Sequence, residues 1–219
     1  MQRKKLRAVI FGPQGCGKGT QGVLLSDKFD VPIVGSGELF RAEIAKGSPL
    51  GRIAEEYTRS GCLAPDELVN GIMSSQLKSM DLSRGFILDG YPRTVDQAGF
   101  LQRILPINVA ILIKIPDEVA VQRLLSRIQC PKCKTVYNTS EARPAISGVC
   151  AVCGGALKRR DDDTEDAIRT RLVNYHFMTE PLAQYYRQKG TLLMIKGDQS
   201  IEYVHKVMMG KLAKLGFGV

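Results

Sequence analysis

The sequence predicts an α/β fold: a parallel five-stranded sheet flanked by helices, with one small module inserted into it. Three observations carry this. Five short apolar runs alternate with stretches of helical periodicity, the order that buries a parallel sheet between two helical layers. A glycine-rich turn containing a lysine, Gly12-Pro13-Gln14-Gly15-Cys16-Gly17-Lys18-Gly19-Thr20, joins the first apolar run to the first helix. The alternation breaks once, from Cys130 to about Arg160, where paired cysteines, glycines and prolines replace it.

In chain order, Ala8-Val9-Ile10-Phe11 reads as a buried strand and Gln21 to Phe29 as the helix after the turn. Val31 to Val34 is a second strand. Gly35-Ser36-Gly37-Glu38 then starts a helix that Ser36 could cap, and Gly47-Ser48-Pro49 stops it. A helix covers Leu50 to Ser60 and ends at Gly61. Pro65-Asp66-Glu67 opens another, to about Met80, with proline and acids in its first turn. Gly85 to Asp89 is a strand ending in an acid, Tyr91 to Thr94 a loop, and Val95 to Ile104 a helix. Val109 to Ile115 is almost unbrokenly apolar, as a strand covered on both faces should be. A helix from Pro116 to about Ile128 leads into the cysteine module. One long helix is expected from Asp163 to Gln188, then a strand at Thr191 to Ile195 and a helix at Ile201 to Leu215.

Composition narrows the function classes. The chain has 219 residues, 44% hydrophobic and 24% charged, ordinary for a globular protein. No run approaches the ~20 apolar residues of a membrane span. The basic start, Met1 to Arg7, precedes an apolar run too short for a signal-peptide core. A cytoplasmic location with no membrane partner is therefore expected. Net charge is +9, but the arginines are spread among motifs rather than packed in one tract. Six cysteines in such a chain do not suggest a disulfide framework.

The turn at Gly12–Thr20 has the form of a phosphate-binding loop. Its glycines let backbone N–H groups turn inward around an anion, the helix N-terminus adds its positive dipole end, and Lys18 can reach the outer phosphates. Gly19 stands where Ser or Thr usually follows the lysine, and Thr20 comes one place later. Asp89, at the carboxyl end of a strand, lies where α/β sheets bind ligands and can hold magnesium, directly or through water. In Asp89-Gly90-Tyr91-Pro92-Arg93-Thr94, Gly90 permits close backbone approach, Pro92 stiffens the loop and Arg93 offers a planar fork for phosphate. Gly35-Ser36-Gly37-Glu38-Leu39-Phe40-Arg41 repeats the theme. Two such loops after strands of one sheet suggest a second phosphate opposite the first.

Cys130-Pro131-Lys132-Cys133 and Cys150-Ala151-Val152-Cys153 bring four thiolates to the spacing of a tetrahedral zinc site. Four protein ligands close such a site, so the metal is structural. Cys16 reads as a small buried residue, Cys62 as a loop side chain, His176 as structural and His205 as surface.

Taken together, Gly15 to Gln21, Gly37 to Arg41, Leu88 to Thr94 and Arg160-Asp161-Asp162-Asp163 resemble adenylate kinases, end to end, and the Asp-Gly-Tyr-Pro-Arg string is highly specific. The cysteine module resembles the lid of their zinc-containing long form. The resemblance implies a P-loop NTPase-type fold with a core at 1–128 and 162–219, a nucleoside monophosphate segment at about 35–64, and a zinc lid at 129–161. It implies reversible transfer of the terminal phosphoryl of Mg·ATP to AMP, giving two ADP. Gly15, Cys16, Gly17, Lys18, Gly19 and Thr20 would wrap the ATP phosphates, with Val136, Tyr137 and Gln199 beside the base and ribose. Ser36, Arg41, Gly90, Tyr91, Pro92, Arg93 and Gln97 would bind AMP, with Cys62-Leu63-Ala64 facing its adenine. Arg123 and Arg127, i and i+4 on one helix face, would converge with Arg160 and Arg171 on the phosphates, and Asp162 and Asp163 would pair with those arginines. Lys18, Arg93, Arg127, Arg160 and Arg171 would carry catalysis. Gly35-Ser36 and Ala64 are small departures from the pattern, and Gln199 stands where lysine often occurs. Another monophosphate acceptor, or GTP as donor, stays open at the base-facing positions. Zinc ribbons also bind nucleic acid, but this one has few aromatics beyond Tyr137 and its arginines flank it as a lid's would. A monomer with no nucleic-acid partner is expected.

Overall fold

A computed structural model describes residues 4–139 and 148–218. The start of the basic N-terminal segment, 1–3, and part of the cysteine module, 140–147, lie outside the described residues. The five-stranded sheet is all parallel. Its strands are β1 (Arg7–Phe11), β2 (Ile33–Gly35), β3 (Phe86–Asp89), β4 (Val109–Lys114) and β7 (Leu192–Lys196), in the order β2-β3-β1-β4-β7. Side chains alternate across it. Ala8, Ile10, Ile87, Ile111 and Ile113 face one layer with Leu25, Val204 and Met208. Val9, Phe11, Leu88, Ala110 and Leu112 face the other with Met73, Leu101, Leu182 and Tyr186. Both faces are covered, which is why β1 and β4 are nearly continuous apolar runs.

The helices are α1 (Lys18–Phe29), α2 (Ser36–Ala45), α3 (Pro49–Ser60), α4 (Asp66–Lys78), α5 (Val95–Ile104), α6 (Asp117–Leu125), α7 (Glu165–Asn174), α8 (Leu182–Gln188) and α9 (Ile201–Lys214). Several begin where a hydroxyl caps them. Ser48 accepts from Gly51 N, Thr94 from Gln97 N, Thr164 from Ala167 N and Ser200 from Tyr203 N.

Four expectations need correction. The helix into the cysteine module stops at Leu125, because β5 (Arg127–Gln129) pairs antiparallel with β6 (Val136–Asn138). Arg127 is therefore on a strand, and Arg123 and Arg127 do not share a helix face. The long helix from 163 to 188 is broken. Tyr175–Thr179 forms a π turn in which Glu180 N bonds Tyr175 O, and Pro181, without an N–H, restarts the chain as α8. Ser36 does not cap α2. Gly35 takes the cap position, and the Ser36 hydroxyl donates to Gly90 O at 2.7 Å. His205 is half-buried rather than at the surface, with Nδ1 3.2 Å from Gln21 Oε1.

Candidate active site

The register of the sheet gathers the chemistry at one edge. Gly35 and Ile10 both lie opposite Asp89, so the loops that leave β1, β2 and β3 emerge side by side from the carboxyl ends of their strands. The first of them runs from Gly12 to the start of α1. Gly15 has φ +82°, and a Cβ there would stand 2.9 Å from Ala120 O. Gly17 precedes α1 in the left-handed region and no side chain caps it. The first N–H groups of α1 are thus offered to a ligand. Cys16 is buried beneath the loop. Lys18 folds back, its Nζ 3.4 Å from Pro13 O. Arg123 braces the loop from behind through Gly15 O at 3.4 Å and Gly197 O at 2.8 Å.

Opposite stands the loop after β3. Arg93 Nε donates to Gly90 O at 2.8 Å, and its NH2 approaches the Ser36 hydroxyl at 3.5 Å. Gln97 is committed at both ends of its amide. Oε1 accepts from Arg93 N, and Nε2 donates to Asp66. Tyr91 is buried with its hydroxyl on Asn70. Gln97 and Tyr91 therefore shape the loop from below, while Arg93 faces the cleft. One cavity is lined by Lys18 from the first loop, Gly90, Pro92 and Arg93 from the second, Leu63 from the segment after α3, and Arg171 from α7.

Arg93 and Arg171 line this cavity, and Arg41, Arg127 and Arg160 interact electrostatically with them or with one another. Burial pushes the guanidinium groups of Arg41, Arg93 and Arg160 below their ordinary range, Arg160 to about 10, and Arg127 and Arg41 push Arg160 further the same way. Such a cluster favours an anion between its members. Asp162 and Asp163 supply part of that charge. Arg127 and Arg171 both bond Asp163, and Arg171 also bonds Asp162 at 2.6 Å. Arg160 instead donates to Gln129 Oε1 at 2.6 Å. Burial pushes the Asp89 carboxyl up, against the pull of Lys18 and Arg93. Among the described residues, three buried side-chain oxygens have no hydrogen-bond partner: Gln14 Oε1, Asp89 Oδ1 and Tyr175 Oη.

Beyond β5 and β6 the four paired cysteines converge, their sulfurs all within 4.8 Å of one another. Cys130 and Cys150 are buried. The Tyr137 hydroxyl donates to Cys150 Sγ at 3.2 Å and accepts from Ala151 N at 3.1 Å. Thr135 Oγ1 lies 3.1 Å from Cys133 Sγ.

The family model described as Adenylate kinase matches residues 10–191. The adenylate kinase of Acetivibrio thermocellus is 40% identical over 213 residues, covering 95% of this chain and 98% of its own length. That of Methanosarcina mazei is 40% identical over 214 residues, covering 95% and 99%. That of Desulfitobacterium hafniense is 42% identical over 204 residues, covering 91% and 94%. The chain belongs to the adenylate kinase family. It is a nucleoside monophosphate kinase, a phosphotransferase that moves a phosphoryl group reversibly between ATP and AMP to give ADP.

For an adenylate kinase the placement of the expected residues is uneven. Lys18, Arg93 and Arg171 meet in one cavity, with Leu63 and Gly90. Val136 is exposed and Tyr137 turns its hydroxyl to the cysteines. Gln199 is exposed. Sequence reasoning missed Asp66, Asn70 and Gln129, which hold Gln97, Tyr91 and Arg160, and also Asn174. Only Asn174 carried a signal, its spacing of three from Arg171. Among the described residues no helix is long and apolar enough to cross a membrane.

Proposed function

We propose that this cleft divides the transfer as follows. Gly15 to Thr20 hold the phosphates of ATP on backbone N–H groups, with Lys18 at the transferred group. Arg93, Arg41 and the Ser36–Gly90 pair hold the AMP phosphate, and Cys62-Leu63-Ala64 face its base. Arg127, Arg160 and Arg171 neutralise charge as it spreads over the transferred phosphoryl. Arg123 acts through the loop it braces. Phosphoryl transfer needs little covalent help beyond positioning and charge neutralisation, so the arginine cluster is the chemistry. The observation that carries this reading is the shared cavity, lined by Lys18 of the first loop, Arg93 of the loop after β3 and Arg171 of α7.

Two metals fit the residues present. Asp89, with a buried unpartnered Oδ1, is suited to hold Mg2+ through water, and the ion would neutralise phosphate oxygens when bound. The four cysteines fit structural Zn2+. Cys130–Cys153 and Cys133–Cys150 sulfurs lie 3.4 Å apart, near the ~3.8 Å edge of a tetrahedron with ~2.3 Å Zn–S bonds. Backbone N–H groups of Val152 and Cys153 point at Cys150, and that of Gly155 at Cys153, as second-shell donors to thiolates do. A module of this size buries little core, and the metal would supply its stability.

The same reading makes 129–161 a lid, 35–64 an acceptor arm, and 1–128 with 162–219 the core. Val136 and Tyr137 would approach the ATP base from the lid, and Gln199 from the core. The enzyme is read as a monomer. Six free cysteines suit a reducing, cytoplasmic setting. The test is coupled turnover with Mg·ATP, with and without AMP, and with other nucleoside monophosphates and GTP. ADP formation should require AMP. ATP consumption at the same rate without AMP would overturn the reading.

A further inference from the structure

The end of α3 meets α7 backbone to side chain. Gly61, directly after α3, has φ +73°, and a Cβ there would lie 2.7 Å from Ala167 O and 3.2 Å from Arg171 Cγ. Arg171 and Asn174, three residues apart, share one face of α7. Arg171 NH2 donates to Thr58 O at 3.1 Å, and Asn174 Nδ2 donates to Gly61 O at 3.0 Å. Carbonyls at a helix C-terminus lack partners within the helix, and these two side chains supply them. The next residues, Cys62-Leu63-Ala64, are those assigned above to the acceptor base. Gly61 and Leu63 line the cavity together with Arg93, Arg171 and Asn174.

Arg171 has a second task in the cluster with Asp162 and Asp163. Asn174 is uncharged, so it can act on the loop without altering the charge that meets the phosphates. We infer that Asn174 is a positioning residue that latches the 61–64 loop to α7 and fixes the height of the slot for the acceptor's base. This rests on the acceptor reading above. It separates two functions on one helix face: Arg171 serves the phosphate, Asn174 the base.

The experiment measures KM for AMP, KM for ATP, kcat and thermal midpoint in the full chain. Asn174→Ala should raise the AMP KM about five- to tenfold, the worth of one hydrogen bond, with kcat and ATP KM within about twofold. Asn174→Leu keeps the approximate size and removes the donor without adding charge, so it should raise the AMP KM at least as much. Should Asn174→Ala lose its cooperative melt, Asn174→Leu carries the test. Gly61→Ala, which cannot keep the close approach, should show the same acceptor-side bias. Unchanged AMP KM in the Asn174 variants overturns the latch, and so does an equal rise in both KM values with a fall in midpoint. Wild-type turnover indifferent to AMP overturns the acceptor reading itself, a result distinct from either.

Discussion

Arg127 and Asp163 form a two-pronged ion pair, Nε to Oδ2 at 2.8 Å and NH2 to Oδ1 at 2.5 Å, with the Asp163 side chain 3% exposed. The pair joins the strand that enters the cysteine module to the segment that leaves it. Asp163 Oδ1 also accepts from Arg171, so a single carboxylate ties two cationic side chains together. Fork-to-fork geometry of this kind is the strong form of the arginine–carboxylate contact.

Asp163→Asn should therefore destabilise the fold by about 3 kcal/mol, because removing one partner leaves a largely buried guanidinium uncompensated. Urea unfolding of the two proteins checks this. A midpoint unchanged in the variant would mean that Arg127 finds another acceptor, and Asp162, which already interacts with it electrostatically, is a candidate.

Arg93→Ala should act in the opposite sense. Burial already disfavours the charged form of this side chain, and Arg171 and Arg41 add repulsion, against the pull of Asp89. Removing it relieves that strain, so the thermal midpoint should hold or rise slightly. Turnover should fall about 10²–10³-fold, the loss typical of one preorganised charge-stabilising donor. Steady-state kinetics and a melt on one sample decide it. Loss of both fold and activity would make Arg93 a structural residue.

His176 gives a pH dependence with a definite sign. Its Nδ1 lies 2.8 Å from Glu180 Oε2 and its Nε2 3.0 Å from Asp117 Oδ2. Lys114 also reaches Glu180, at 3.8 Å. The carboxylate of Glu180, then that of Asp117, holds the imidazole above its ordinary value of 6.5. A folded-state value above the unfolded one stabilises the fold fully below pH 6.5 and loses that contribution as pH rises through the shifted value. The ring is 44% exposed, so solvent screens much of it. Relative to wild type, His176→Gln should lose more stability at pH 6 than at higher pH, the difference shrinking as pH rises through the shifted value. Melts across that range measure it. A difference independent of pH would point to packing instead.

The sheet was legible because its strands are covered on both faces. Val109 to Ile113 had no polar position to confuse with a helix stripe, and Asp89 marked where β3 meets the cleft. The loop at Gly12–Thr20 was legible because glycines and a lysine at fixed spacing have one main use. Boundaries decided by tertiary pairing were not legible. Arg127 has good helix propensity and continued a helical pattern, yet β6 takes its backbone into a hairpin. Ser36 looked like a cap because local sequence contains no sign of Gly90 O, 54 residues away. Gln97 and Tyr91 carry the right motif but spend their polar atoms on Asp66 and Asn70, partners that lie in α4 and leave no local pattern.

Tyr137 offers the most direct test of the cysteine cluster. The Cys150 thiol is held down at about 6, and the Tyr137 hydroxyl is the largest cause, ahead of the backbone N–H groups of Cys153 and Val152. The hydroxyl also accepts from Ala151 N, so it is fixed in place rather than free to turn toward a nucleotide. Donors of this kind orient and stabilise metal-bound thiolates, and losing one typically weakens metal binding 10–100-fold. Tyr137→Phe removes only the hydroxyl and keeps the ring that would approach the ATP base. Its Zn2+ affinity, read by competition with a chromogenic chelator, should fall by about that factor, while the ATP KM of the fully loaded enzyme stays within about twofold. Cys150→Ser should lose more, since it removes a ligand rather than its support. If Tyr137→Phe binds zinc like wild type but loses ATP affinity, the hydroxyl serves the nucleotide after all. If wild type itself binds no zinc, the cluster is a set of reduced thiols and the stability of the lid has another source.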